Sequence, residues 1–408
     1  MLFVEALLSP FWCFIKGFRN YRMKNSKYYV LIFILFYAFT ITFPKGEKDM
    51  DIYRRIEYFK NYASQPNLSI NEVWNVAYSD DDSNSNADFG ESFLMYFVSR
   101  FTDDYRWMMV FWALSFGLLF VNNIWYIIEK INLRINGLTF LWFVGFFLII
   151  PFWNINAFRF WTAAHLFIFG LLRFFYTKKK SYLFVCLLSI LVHYSFVISN
   201  FLLVLFFFLP RNLKVANFFF LTTLVLTTLN MQSFDSVIEL LPVGLRGKAI
   251  SYTSSAYLER VDDLSKIDLN FYVTLRYKAV LLVFELMFLF ICSKYKDFLK
   301  EKLNSDLFFL SFILLTFSNL VFSTPPLDRF FNLGCFFVFI IGLKFSDYLI
   351  KRNLKPILFK YISWLLLIYL IVEIRIGLDT ISVVSIIGNP ITQFFVSDSN
   401  FSLIDLFK

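Results

Sequence analysis

The sequence predicts an all-α protein that crosses a lipid membrane many times. Of its 408 residues, 58% are hydrophobic and only 17% are charged, which leaves too little polar surface to cover a soluble core of this size. Several apolar stretches reach about 20 residues, the length at which a helix spans roughly 30 Å of hydrocarbon. Such stretches favour helices over the alternating segments of about ten residues found in outer-membrane barrels.

The net charge of +9 does not indicate nucleic-acid binding, because the lysines and arginines cluster between apolar stretches, as residues flanking membrane spans do. Four isolated cysteines lack the paired spacing of a metal site, so we expect no metal and no other cofactor. Residues 1–18 lack a basic n-region and a small-residue cleavage site, and we expect them to form an amphipathic helix in the membrane interface.

The basic clusters also predict which way each span runs. Residues 28–43 form the first span, and the basic segment that precedes it predicts a cytoplasmic N-terminus. Residues 44–105 are too polar for lipid and form a first external loop. The further predicted spans are 106–128, 137–153, 158–176, 217–229, 271–292, 306–323, 328–343 and 357–376.

The apolar stretch 181–209 is long for one span and is basic at both flanks. A single crossing would place the later basic clusters outside, against the positive-inside rule. The stretch is therefore predicted to form two half-helices that meet near His193 and Ser195. The prediction then comprises about eleven membrane segments, a second external loop at 230–270 and an external tail at 377–408.

Arg159 is the first candidate for a functional site. It lies at the outer start of the predicted span 158–176, where free backbone N–H groups and the positive end of the helix dipole favour an anion. A guanidinium at this place predicts phosphate binding. The alternative is an arginine that extends to the lipid headgroups.

His193 is the second candidate, and it is one of two histidines in the chain. An imidazole exchanges protons near neutral pH, so we expect His193 to orient or deprotonate an acceptor hydroxyl. The alternative is a structural histidine satisfied by Ser195. The other histidine, His165, lies about two turns inside its span and is expected to pack within the bundle.

Two more arginines and several loop residues complete the set. Arg329 lies at the outer start of another predicted span, 328–343. Arg276 lies inside the span 271–292, where a charge needs a partner or an anionic ligand. Both are predicted to bind pyrophosphate, although Asp328 could instead neutralise Arg329. The first loop contributes carboxylates and a ring that suit sugar hydroxyls and sugar faces, namely Asp49, Asp51, Tyr53 and Glu91.

Short segments in a recognisable order carry a family resemblance. They are 45–53 (KGEKDMDIY), 89–93 (FGESF), 156–164 (NAFRFWTAA), 188–195 (LSILVHYS), 328–331 (DRFF) and 388–391 (GNPI). These segments resemble those of the EpsG-type and Wzy-type polysaccharide polymerases of bacterial O-antigen, capsule and exopolysaccharide systems. The chain departs from the family pattern in lacking proline at the second segment and in having Phe160 where the family often has glutamine.

The resemblance implies a metal-independent glycosyltransferase at the periplasmic face of the bacterial inner membrane. Its substrates would be undecaprenyl-pyrophosphate-linked oligosaccharides, and a chain-length regulator and a flippase would be its partners. Because pyrophosphate is a good leaving group, positioning and electrostatic stabilisation are the main requirements. Arg159, with Arg329 or Arg276, would hold the donor pyrophosphate, while His193 or a loop carboxylate would assist the acceptor hydroxyl.

Three other functions stay open on the sequence. A flippase for the same lipid-linked sugars needs no chemistry, but it should show two related halves and short loops. An O-antigen ligase or another polyprenyl-linked glycosyltransferase would use similar external arginines and acids. A structural subunit of an assembly complex would tolerate the change Arg159→Ala.

Overall fold

The computed structural model describes residues 2–43, 51–77, 89–225, 271–321, 329–395 and 401–407. In these parts of the chain, helices are joined by short turns and loops, and an isolated bridge pairs Ser382 with Ser402. The α-helices, numbered here in chain order, are α1 Leu2–Leu8, α2 Pro10–Arg19, α3 Ser26–Phe39, α4 Asp51–Ser64, α5 Ile70–Ala77, α6 Phe89–Ser99, α7 Tyr105–Ile131, α8 Gly137–Leu148, α9 Phe158–Thr177, α10 Ser181–Val192, α11 Phe196–Phe208, α12 Leu213–Val225, α13 Phe271–Lys294, α14 Lys296–Lys300, α15 Lys302–Leu320, α16 Phe330–Lys351, α17 Ile357–Gly377, α18 Val383–Ile387 and α19 Pro390–Phe394.

Within the described ranges, five helical stretches are long and apolar enough to cross a membrane: Tyr105–Ile131, Thr139–Thr177, Lys302–Leu320, Phe330–Lys351 and Ile357–Gly377. The second stretch is not one rod, because it contains most of α8, a 3-10 helix at Phe152–Ala157, and α9. Shorter apolar helices, α3 and α10 to α12, accompany them. The chain is therefore an all-α, polytopic membrane protein. The number of about eleven segments stays a prediction, and the second loop, 230–270, lies outside the described residues.

Polar residues at the ends of the spans set local helix boundaries. Asp104 precedes α7, and its carboxylate accepts a hydrogen bond of 3.0 Å from the Arg106 backbone N–H. The helix ends at Asn132, whose left-handed backbone (φ 52°) suits asparagine better than most side chains. Asn136 then starts α8 by accepting a 3.0 Å hydrogen bond from the Thr139 N–H.

The stretch 181–209 folds as the predicted pair of short helices. α10 runs back along α9, since Cys186 Sγ donates to the Phe167 carbonyl at 3.5 Å and His193 packs on Phe160. α11 then runs in the direction of α9, with Phe196 beside Phe160 and Phe206 beside Phe175. The chain thus returns to the face from which α10 started. This agrees with the prediction from the basic clusters that 181–209 does not cross the membrane only once.

The bundle behind these helices is built around α8 and α16. α8 packs between α16 and α17, and α15 packs against both α12 and α16. His165 of α9 is fully buried in this bundle between Phe116 and Phe120, and Asn123 Nδ2 donates to its carbonyl at 2.8 Å. It is a packed core histidine, as the sequence predicted.

The segment predicted as a first external loop contains three helices. α6 packs against α4, α5 and α7, so the segment lies over the start of α7. Arg100 joins the segment internally, because its Nη1 donates to the Gln65 and Pro66 carbonyls at 2.8 and 3.1 Å. The tail after α17 packs at the same end of the bundle, where Tyr37 Oη donates to Thr380 Oγ1 at 2.9 Å.

The beginning of the chain forms a helical hairpin. α2 lies antiparallel to α3, because Phe11 and Phe14 contact Phe33 at ring distances of 5.8 and 4.6 Å, whereas Lys16 lies over Tyr29. α1 then contacts α19, and α2 contacts α18. Residues 2–8 therefore lie on the same face as the C-terminal tail.

This hairpin differs from the expectation of an interfacial helix with the N-terminus and the tail on opposite faces. The basic segment between Arg19 and Lys27 is the connection between α2 and α3. The positive-inside rule is satisfied whether a basic segment connects two helices or precedes the first span. The charges alone therefore did not show that this segment is a connection between α2 and α3.

Candidate functional site

The candidate site is built around the start of α9. The 3-10 helix at Phe152–Ala157 leads into it, and Ala157 at the N-cap has no side-chain oxygen to offer. The first turn of a helix has free N–H groups and a positive dipole end. The Phe158 ring stacks on the Trp112 ring of α7 at a centroid distance of 5.2 Å. Because α7 begins at Tyr105, Trp112 lies about 10 Å along that helix. The start of α9 is thus recessed below the outer end of α7.

Glu91 of α6 joins two arginines at this helix start. Its Oε1 lies 2.8 Å from Arg55 Nε, and its Oε2 lies 2.8 Å from Arg159 Nε. The Glu91 side chain is 4% exposed, that of Arg55 is 9% exposed and that of Arg159 is 18% exposed. The buried carboxylate therefore lies between two guanidinium groups, and Arg159 is the member most accessible from outside.

Arg55 of α4 was not among the predicted site residues. Its Nη1 donates to the Asn156 carbonyl at 3.0 Å, just before α9 begins. Its guanidinium also lies 5.9 Å from the centre of the Trp112 ring, within cation–π range. Arg55 thus joins the segment of α4 to α6 to the residues that precede α9.

His193 lies at the junction of α10 and α11, where its backbone is extended. The Ser195 backbone N–H lies 3.3 Å from His193 Nδ1, and Ser195 Oγ lies 2.8 Å from the same atom. A backbone N–H can only donate, so Nδ1 accepts. The neutral imidazole then carries its proton on Nε2, and this nitrogen is a hydrogen-bond donor.

Phe160 links the predicted residues to one another. Its ring lies 5.5 Å from the His193 ring and 5.4 Å from the Phe330 ring, and the Arg329 guanidinium lies over it at 5.7 Å. Phe160 follows Arg159 directly, so the structure gathers Arg159, His193 and Arg329 around the first turn of α9. In the sequence, Phe160 was noted only as a departure from the family pattern.

Arg276 has a buried acidic partner. Its Nη1 lies 2.6 Å from Glu373 Oε2 of α17, and the two side chains are 12% and 8% exposed. Its Nη2 donates to Tyr277 Oη at 2.8 Å, and the Tyr277 ring contacts Phe331 near the start of α16. The structure therefore gives Arg276 the partner that a charge within a span requires, and its proposed role in binding pyrophosphate stays a prediction.

The acceptor residues predicted in the first loop have different placements. Asp49 lies outside the described residues, and Asp51 is the first residue of α4. The Tyr53 ring packs against Phe43 at 6.1 Å. Glu91 is buried between arginines rather than exposed, so the expectation of a sugar-binding carboxylate at this position does not fit its surroundings.

A tyrosine supports the position of α6 beside α4. Burial raises the pKa of Tyr62, and a hydrogen bond with Ser92 opposes this increase. The phenol therefore stays protonated at neutral pH and can hydrogen-bond to Ser92. Ser92 directly follows Glu91 in the chain, so this contact joins α4 to α6 beside the ion pairs of Glu91.

A comparison with known proteins identifies the family of this chain. The family model described as the EpsG family matches residues 27–382. This range includes Arg55, Glu91, Arg159, His193 and Arg329. No curated protein and no solved structure matches the chain. Because the family match covers most of the sequence, the chain belongs to the EpsG family.

Proposed function

We propose that the protein polymerises undecaprenyl-pyrophosphate-linked oligosaccharide repeat units at the periplasmic face of the bacterial inner membrane. In this reaction the bond between the anomeric carbon of the growing glycan and its pyrophosphate breaks. The undecaprenyl pyrophosphate leaves with the electron pair of that bond and so takes up negative charge. A hydroxyl oxygen of a second lipid-linked repeat unit bonds to the carbon, and the hydroxyl proton passes to the departing pyrophosphate.

The cluster of Arg55, Glu91 and Arg159 at the recessed start of α9 is the observation that best supports this proposal. Fixed donors and a positive helix end stabilise charge where it develops, without reorganising during the reaction. The Arg159 guanidinium can bind a pyrophosphate through two parallel hydrogen bonds. Arg159 would therefore bind the leaving group, with Arg329 across the Phe160 ring as a second cation.

His193 would complete the site as a hydrogen-bond donor through Nε2 to a phosphate or sugar oxygen. Arg276 would contribute a more distant positive charge, and Asp49, Asp51 and Tyr53 would contact the acceptor sugar. Family membership supports a polymerase-type activity in general. The lipid carrier, the periplasmic face and the partners, a flippase and a chain-length regulator, belong to the proposal.

The first experiment uses a strain lacking the gene, in which variants are expressed at matched membrane levels and the surface glycan is separated on a gel. The wild type should restore a ladder of polymerised units, and Arg159→Ala should reduce the long chains at least tenfold. Loss of a charge-assisted hydrogen bond costs about 1.5–3 kcal/mol, and each 1.36 kcal/mol in the barrier is about tenfold in rate. Arg375→Ala is the matched control, since Arg375 is 41% exposed and pairs with Asp379.

The deletion strain separates polymerisation from the other functions. A polymerase deletion leaves single repeat units on the surface, whereas a flippase or ligase deletion removes all of them. If surface units disappear entirely, polymerisation is not the function. If Arg159→Ala restores a full ladder while the deletion leaves single units, polymerisation stands and Arg159 is not the pyrophosphate ligand.

A further inference from the structure

We infer that Glu91 and Arg55 are positioning residues that hold the Arg159 guanidinium in the orientation required to bind pyrophosphate. This inference rests on the proposed function and deepens it, because it explains how one arginine at a helix start is kept in place. It also gives a function to the external segment, since α4 carries Arg55 and α6 carries Glu91. The contacts, the burial and the placement of the three residues in the fold each support it.

The contacts show how the orientation is set. Glu91 uses one oxygen for each arginine, and both arginines are contacted through Nε at 2.8 Å. A guanidinium is planar, so a contact at Nε limits the directions in which its two Nη groups point. Glu91 therefore orients the edge of Arg159 that a phosphate would meet.

The order of burial shows which residue meets the ligand. Side-chain exposure rises from 4% at Glu91 to 9% at Arg55 and 18% at Arg159. A buried charge is tolerated when it is paired, and removing one partner leaves the other uncompensated. Glu91 is the common partner of both arginines, so its loss affects each of them.

The fold shows why two elements from the external segment are needed. α4 and α6 pack against each other, and each also contacts α7. Arg55 donates to the Asn156 carbonyl, and Asn156 lies in the 3-10 helix that precedes α9. The external segment is thus attached to the backbone at the start of α9 and to the Arg159 side chain at the same place.

The test measures binding of undecaprenyl pyrophosphate to the purified full-length protein in nanodiscs. Glu91→Gln keeps the size of the side chain and removes its charge, and we expect it to weaken binding about ten- to a hundredfold. In an Arg159→Ala background, the same change should weaken binding less than about twofold, because residues that act through one another are not additive. Glu72→Gln is the matched control, since Glu72 is an exposed acid on α5 of the same segment.

A second variant covers the case in which Glu91→Gln does not fold. Arg55→Lys keeps the positive charge but lacks Nε, and it should weaken binding about tenfold, with no further loss when Arg159 is absent. The positioning role would be overturned if either folded variant bound the pyrophosphate as tightly as the wild type. It would also be overturned if the loss of affinity in a double variant equalled the product of the two single losses. Either result would leave the proposed function intact. Failure of the wild type to bind the pyrophosphate would overturn both.

Discussion

At the scale of single residues, the hydrogen bonds of His193 determine what its ring can do. Its isolation between two apolar half-stretches predicted a functional histidine, with roles ranging from orienting group to general base. The Ser195 N–H donates to Nδ1 at 3.3 Å, which places the proton of the neutral ring on Nε2. A nitrogen that already carries a proton cannot remove one from a hydroxyl, so the geometry favours a donor.

The variants His193→Gln and His193→Ala distinguish a donor from a base. Glutamine retains an N–H donor near the position of Nε2 but has no basic nitrogen. Loss of a general base costs about 100- to 10,000-fold, so a base role predicts that both variants are inactive. A donor role predicts that His193→Gln retains roughly a tenth of the wild-type polymerisation, and that His193→Ala retains much less. The measurement is the rate of glycan-chain extension in membranes that contain equal amounts of protein.

Arg55 and Phe160 show why part of the site escaped prediction. Arg159 was predicted because a helix start with an arginine is a local pattern, visible within a few residues. Arg55 became part of the site through contacts with Glu91 and Asn156, which are far away in the sequence, and it lies on α4 among other charged residues. Phe160 is one of 58 phenylalanines, so no local signal separated it from ordinary membrane-facing rings.

At the scale of helices, the sequence predicted the order of the main spans and the break in 181–209, because charge and hydrophobicity determine both. It did not predict the hairpin of α2 and α3 or the contact of α1 with the tail. Glu5 and Lys16 place charges in this first apolar stretch, and they form an ion pair of 2.6 Å with each other. Pairing reduces the cost of burying charges, and a pairing across the bend at Ser9 is not visible in a hydropathy pattern.

The contact between α9 and α10 is a helix-scale feature that a substitution can test. A Cβ atom at Gly170 would lie 2.6 Å from the Tyr182 carbonyl oxygen and 2.9 Å from the Cys186 backbone N. Backbone atoms cannot rotate away, so Gly170→Ala must push the two helices apart. Overpacking of this kind costs about 1–3 kcal/mol. We therefore expect Gly170→Ala to lower the midpoint of thermal unfolding in detergent and, because α9 carries Arg159 and α10 leads into His193, to lower polymerisation.

Gly137→Ala is the control for this experiment. Gly137 is the first residue of α8, and a Cβ atom there meets no other atom within 4 Å. Alanine also favours helix over glycine, so the midpoint for Gly137→Ala should equal or exceed that of the wild type. A Gly170→Ala protein that unfolds at the wild-type temperature would show that α9 and α10 separate without loss of stability.

At the scale of the whole molecule, the described elements divide between two faces. The helices α4 to α6, the start of α9, the tail and α1 lie towards one face, and the basic connection between α2 and α3 lies towards the other. The candidate site is assembled at the first face from elements that are distant in sequence. This arrangement suits the proposed enzyme, whose two substrates would both be held by lipid anchors, since a site recessed below the end of α7 would meet a pyrophosphate close to the membrane surface.

The arrangement predicts the sidedness of three engineered cysteines, placed singly in a protein whose own cysteines are replaced by serine. Val4→Cys on α1 and Phe395→Cys after α19 should both react when a membrane-impermeant maleimide is added to intact cells, because their positions are 57% and 82% exposed on the same face. Met23→Cys, in the basic connection, should react only after the cells are opened. Labelling of denatured protein gives the total for each variant. If Val4→Cys reacts only in opened cells while Phe395→Cys reacts in intact ones, α1 and the tail are on opposite faces and the hairpin of α2 and α3 does not exist in the membrane.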